Sequence, residues 1–181
     1  MKLTSGVLAV LAGVALLPVG FAQMSGNGAK KPMASPPADA SVLLNGKQVS
    51  VHYNSPSMRG RKIFGGLVPY DKVWRTGANP ATLLKTDVNL KIGTANVPAG
   101  SYTLFSIPSQ KTWKLIINKQ TGQWGLSYDG SRDLARVDMA KSTLQHPQEK
   151  MSISFEDTHG ASTQLHIRWD TTDAWVPVVA Q

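Results

Sequence analysis

Apolar and polar residues alternate with a period of two along most of this chain, the spacing of strands that bury one face. Val88, Leu90 and Ile92 alternate with Asp87, Asn89 and Lys91; Met151, Ile153 and Phe155 alternate with Ser152, Ser154 and Glu156. Leu165, Ile167 and Trp169 alternate with Gln164, His166, Arg168 and Asp170. Turn signals divide these runs. Asn45-Gly46 splits Ser41–Leu44 from Gln48–Tyr53 as a hairpin, Pro98-Ala-Gly100 precedes a strand over Tyr102–Ile107, and Asp129-Gly130 and His159-Gly160 mark corners. Trp113–Asn118 and Trp175–Val179 complete the set, and Ser131–Leu144, which fits no helical period, is also read as a strand. About nine short strands without a long helix predict an all-β fold: two antiparallel sheets packed face to face, a β-sandwich for which a jelly roll is one arrangement.

The first residues break this pattern. Lys2 precedes an apolar run from Val7 toward Ala22, interrupted by Gly13 and Pro18 and ending in Gly20-Phe-Ala22, which reads as a signal peptide over 1–22 cleaved before Gln23. The run falls short of the ~20 residues of a spanning helix, so cleavage that leaves no membrane span is expected, with retention as an uncleaved anchor the alternative. Residues 23–39, rich in Gly, Ser, Pro and Ala, read as a disordered linker, and 40–181 as a single domain. The expected address is therefore exported, periplasmic or extracellular. The chain has no cysteine, so neither a disulfide nor a lipid-bearing cysteine is available.

Composition adds a bias toward anions. Lys and Arg number 19 against 11 Asp and Glu, a formal net charge of +8. Lys47, Arg59, Arg61, Lys62, Lys72 and Arg75 crowd one stretch whose single acid is Asp71. Export and the lack of a nucleic-acid-binding motif argue against nucleic acid as the partner. A carbohydrate or an anionic envelope polymer fits better, and a solvated basic surface is the bland counterpart.

The segment Gly60-Arg-Lys-Ile-Phe-Gly-Gly-Leu-Val-Pro-Tyr-Asp-Lys-Val-Trp-Arg-Thr-Gly-Ala-Asn79 is too irregular for a plain strand. Gly60, Gly65 and Gly66 permit sharp turns, most simply where a strand crosses between sheets; the Gly-Lys-Ser/Thr ending of a phosphate loop is missing. Trp74 offers a flat face for a sugar ring or a core neighbour, and Arg75 a planar fork for carboxylate or phosphate. On a regular strand the two point to opposite faces, so sharing one site requires a bulge. Arg75, Asn79 and Arg61 converging on an anionic or polyol ligand is one reading; Trp74 in the core, with Arg75 and Asn79 pinning loop carbonyls, is the other. Trp124, between glycines in Gln120-Thr-Gly-Gln-Trp-Gly-Leu-Ser-Tyr128, is a further stacking candidate. The candidate ligand-binding residues are thus Arg61, Trp74, Arg75, Asn79 and Trp124.

Together with Val97-Pro-Ala-Gly-Ser-Tyr-Thr-Leu-Phe-Ser-Ile-Pro108 and Trp113-Lys-Leu-Ile-Ile-Asn118, this segment resembles an exported bacterial family, domain of unknown function 2911. The resemblance covers His52 to Val179 and implies fold and address rather than chemistry. Relatives carry an acidic or small residue after Gly-Ala-Asn; here Pro80 stands there and supplies no carboxylate.

Catalysis finds little footing. His52, His146, His159 and His166 lack metal-ligand spacing, although His52 and His166 would meet if their strands paired. There is no Gly-x-Ser-x-Gly elbow, and nothing selects a working pair among Asp71, Asp87, Asp157 and Asp170. Noncatalytic binding of a carbohydrate or anionic envelope ligand, with no cofactor and no metal, is the expectation. An envelope hydrolase using carboxylates or a cross-strand histidine site is the rival, and a module assembling with another protein through a sheet edge is the third reading.

Overall fold

The computed structural model describes residues 33–181. The signal peptide expected over 1–22 and most of the expected linker lie outside the described residues. Nine strands follow in chain order: β1 Pro37–Leu44, β2 Lys47–Asn54, β3 Thr82–Thr86, β4 Leu90–Ile92, β5 Ala95–Val97, β6 Gly100–Ile107, β7 Trp113–Asn118, β8 Asp133–His159 and β9 Ser162–Ala180. One 3-10 turn, Gly130–Arg132, is the only helical element among the described residues. Strand β1 begins three positions ahead of Ala40, where folding was expected to start.

The fold is all-β and antiparallel, as the alternation predicts. Hydrogen bonds join the strands into a single nine-stranded sheet in the order β1-β2-β3-β6-β7-β8-β9-β4-β5, so the ladder by itself does not draw two sheets. The strand count matches the sequence reading but the membership differs. Thr82–Thr86 and Ala95–Val97 are strands that the pattern did not reveal, while β8 and β9 each fuse two predicted runs. Along β8, Asp133 to Met139 pairs with β7 and Ala140 to His159 pairs with β9. Its register slips between Thr143 and Gln148, where Pro147 has no N–H to give the ladder and the pairing must open. The break that looks like a loop in the sequence is therefore an irregularity inside one strand.

The β1–β2 hairpin forms as predicted. Leu44 pairs with Lys47, and Asn45 and Gly46 between them adopt φ of 49° and 75°. Two consecutive left-handed residues make the turn whose twist matches that of the strands, and Asn-Gly tolerates it best.

Period two places the core on one face. Val49 and Val51 of β2, Leu84 of β3, Leu104 of β6, Leu115 and Ile117 of β7, Met151 and Ile153 of β8, and Leu165, Ile167 and Trp169 of β9 form one buried cluster. Ile63, Phe64, Val68 and Trp74 join it from the long connection between β2 and β3, residues 55–81. That connection is not the expected strand crossing. Only Phe64, Val68 and Trp74 make isolated bridges within its glycine-rich part, Trp74 to Ser106 of β6. Strands β6 and β7 are buried on both faces: Phe105 is capped by Tyr128 from residues 119–132, the ring centroids 4.9 Å apart at 67°.

Candidate functional site

Two adjoining clefts of about 250 Å³ each open beside residues 55–81 and share Leu67, Val68, Trp74 and Arg75 as a common wall. The first is completed by Pro69, Lys72, Val73, Phe105, Gly125, Leu126 and Tyr128. The second is completed by Ser35, Pro56, Arg61, Gly77, Ala78, Asn79 and Trp169. Neither lining contains a carboxylate or a histidine.

Trp74 is the anchor. Its backbone exchanges two 2.8 Å hydrogen bonds with Ser106 of β6, its indole N–H donates to the carbonyl of Gly77 at 3.2 Å, and its ring stacks on Trp169 at 5.9 Å and 19°. Phe64 meets it edge-on. At 8% exposure the indole is a core side chain that contributes a wall rather than a stacking platform. Beyond it the backbone turns sharply: Thr76 and Asn79 take φ of 50° and 60°. Because this is not a regular strand, the opposite-face rule does not govern it, and Trp74 and Arg75 line the same clefts.

Arg75 stands out electrostatically. Its Nε is buried and has no hydrogen-bond partner, and no carboxylate pairs with its guanidinium among the described residues. Gly125 presses directly on its side chain: a Cβ there would fall 2.1 Å from Arg75 Cδ. Burial pushes the Arg75 guanidinium below its usual pKa, yet arginine remains a cation at neutral pH. A buried donor without a partner costs roughly 1–3 kcal/mol, and an anion that draws the guanidinium toward the cleft would relieve it.

The other candidates are less free. Arg61 donates from Nε to the carbonyl of Met58 at 2.9 Å and from Nη2 to that of Ser57 at 2.7 Å. Asn79 donates from Nδ2 to the carbonyl of Ser35 at a long 3.4 Å, and its own carbonyl accepts from the Gly125 N–H at 3.2 Å. Arg61, Trp74, Arg75 and Asn79 thus meet at the second cleft. Trp124 does not line either cleft. It is 55% exposed and bridges to Pro80, which places its neighbours Gly125 and Leu126, not its own ring, at the first cleft.

Several lining residues escaped sequence reasoning. Ser35 lies in a stretch that reads as linker, and Leu67, Val73 and Leu126 stand in segments that drew attention for their glycines, arginines and tryptophans; only the exposure of these last three marks them.

The histidine and carboxylate candidates fall elsewhere. His52 on β2 bonds Asp39 at 2.7 Å, and His166 on β9 bonds Asp173 at 2.9 Å; β2 and β9 are not neighbours in the sheet, so the two histidines do not meet. Asp173 also accepts from Arg168 Nε at 2.9 Å, and Arg168 grips both oxygens of Glu156. This is a satisfied, partly buried network in which each charge has its partner. Its signal in the sequence was hidden, because His166 sits on the polar phase of β9 and is covered from farther along that strand, by Asp173 and by the stacked ring of Trp175 at 6.0 Å, beyond the left-handed Asp170, φ 54°. No group of three or more potential metal ligands occurs among the described residues, and no helix of those residues is long and apolar enough to cross a membrane.

The family model for a protein of unknown function, DUF2911, matches residues 35–178. No curated protein and no solved structure matches.

Proposed function

The chain belongs to the DUF2911 family of proteins of unknown function, and we propose that it binds an anionic ligand without transforming it. The binding place is the double cleft at Arg75. The observation that carries this reading is the buried, unpartnered Nε of Arg75 in a lining that offers Arg61 and Lys72 and no acid. The guanidinium is only partly buried, so its charge is still solvated, and an anion is the natural complement of a cation that no acid of this lining pairs. Asn79 and Ser35 add polar groups on the same side.

Of the two ligand classes raised by the sequence, an anionic envelope ligand is favoured over a neutral sugar, since Trp74 has its faces occupied by core aromatics. The address belongs to the proposal too: an exported protein, supported by the apolar run ahead of Gln23. So does a finer architecture, in which the sheet folds over at β8 into two facing layers of a sandwich. Its support is the switch of partner from β7 to β9 near Met139 and the single core shared by strands from both ends of the ladder. The hydrolase reading gains nothing from clefts without carboxylate or histidine. Assembly through a sheet edge has a modest basis: β1 ends the ladder, but Pro37 and Asp39 lie on it and blunt strand addition.

Thermal shift with galacturonate and galactose tests the reading. An acidic ligand at a hundred times its dissociation constant adds about 2.7 kcal/mol, a rise of roughly 5–10 °C for a domain of this size. The expected result is a rise with the acid that is lost in Arg75→Gln. An equal rise with galactose, or one that persists in Arg75→Gln, refutes anion binding at this cleft.

A further inference from the structure

Resting on the anion-binding reading, we propose that the ligand is a small amphiphilic anion, with a singly charged head group at Arg75 and a short apolar chain lying in the first cleft. The argument starts from where this protein leaves large apolar side chains in water. Leu67 at 48%, Val73 at 38% and Leu126 at 76% exposure are among its few exposed large hydrophobic residues, and all three line the first cleft. Exposed Trp124 precedes Gly125 in the same loop. Val68, Pro69 and Phe105 continue the apolar lining. Single exposed apolar residues are ordinary, whereas several around one concavity mark a place where something apolar is received.

The two clefts divide the work. The second alone adds Arg61, Asn79 and Ser35; the first alone adds Pro69, Val73, Phe105 and Leu126 beside Lys72; Leu67, Val68, Trp74 and Arg75 belong to both. A ligand polar along its whole length would leave Leu67 and Leu126 hydrated and gain nothing from them. A neutral apolar ligand would leave the Arg75 guanidinium without a counter-charge. Only a molecule with both parts satisfies both walls. Size bounds it further, since each cleft holds about 250 Å³, at the small end for ligand sites. A head in one and a chain of a few carbons in the other fit within these volumes.

Calorimetric titration of the full chain with acetate, butanoate, hexanoate and octanoate, and with hexanol as the uncharged match, tests this. Affinity should rise about fourfold per methylene until the cleft is full, hexanol should bind at least tenfold more weakly than hexanoate, and Arg75→Gln should abolish the difference between them. Leu126→Ser removes a side chain that is mostly in solvent, so the fold survives it; it should flatten the dependence on chain length.

Arg75-dependent binding of acetate and hexanoate with equal affinity overturns the amphiphile and leaves the anion reading standing. Equal affinity for hexanol and hexanoate overturns both, and no binding of any of them beside an Arg75-dependent galacturonate shift overturns the amphiphile alone. Binding that is unchanged by Leu126→Ser and Arg75→Gln places the amphiphile elsewhere on the chain and overturns the proposal. Sedimentation with vesicles of anionic phospholipid, without binding of free hexanoate, assigns the apolar rim to a membrane surface and also overturns it.

Discussion

Replacing Gly125 by alanine should damage stability and binding together, and the structure gives the sizes. A Cβ at residue 125 would lie 2.1 Å from Arg75 Cδ, 3.0 Å from Arg75 Cβ and 2.7 Å from the carbonyl oxygen of Asn79. The arginine can swing away, being long and flexible. The carbonyl cannot, because it is backbone and already accepts the Gly125 N–H at 3.2 Å. Overpacking a fitted contact costs about 1–3 kcal/mol, and loosening that hydrogen bond adds about 0.5–1.5 kcal/mol, so Gly125→Ala should lose about 1.5–4.5 kcal/mol in urea unfolding. Ligand affinity should fall at least tenfold, since Arg75 is driven out of place. Gly122→Ala in the same loop is the control: φ is +78° with nothing within 4 Å of a new Cβ, so backbone strain of about 1 kcal/mol should appear with affinity unchanged. If Gly125→Ala is neutral in both measurements, the loop does not press on Arg75 and the site as described is wrong.

The tryptophans should separate cleanly in urea unfolding. Trp74→Ala, which empties a stack against Trp169 and strands the Gly77 carbonyl, should cost about 3–5 kcal/mol, whereas Trp124→Ala should stay within about 0.5 kcal/mol; a large loss at Trp124 would mean that it packs rather than faces water. Acid should weaken the β8–β9 network in a defined direction. Hydrogen bonds from Arg168 hold the Glu156 carboxyl below its usual range, so its stabilisation is complete above the unfolded value of about 4.3 and is lost as pH falls through the lower folded value. The stability gap between the native chain and Glu156→Gln should therefore be present at neutral pH and shrink as pH falls below about 4.3; a gap of constant size would show that the carboxylate charge contributes nothing.

What could be read in the sequence followed from local rules. Period two gave the strand type and most inward residues, and Asn45-Gly46 gave a turn of the right kind, because side-chain phase and turn chemistry are properties of a few neighbouring residues. Strand extent was less legible. The run through His146-Pro147 looks like a loop, and only pairing with β9 on both sides makes it one strand. The cleft was half legible. Trp74, Arg75, Asn79 and Arg61 drew attention by residue type, but Leu67, Val73 and Leu126 look like core residues until the fold leaves them in water. Nor could sequence show that Arg75 would lack a partner, since that depends on which acids the fold keeps away from it.

The backbone at Thr76 bears on why Trp74 and Arg75 can share a site at all. A fully buried, β-branched residue at φ 50° is a genuine outlier and stores about 1–3 kcal/mol of strain. Contacts around it hold the turn: Thr76 Oγ1 donates to Ser106 Oγ at 3.0 Å, and Thr82 Oγ1 donates to the Thr76 carbonyl at 2.9 Å. Both alanine and glycine at this position lose the hydroxyl and its methyl, but only glycine also escapes the left-handed penalty. Thr76→Gly should therefore be more stable than Thr76→Ala by about 1 kcal/mol, the reverse of their order at ordinary positions, with both below the native chain. Should alanine prove equal or better, the turn is not strained, and the account of how this segment delivers a core tryptophan and a ligand-facing arginine from adjacent positions fails with it.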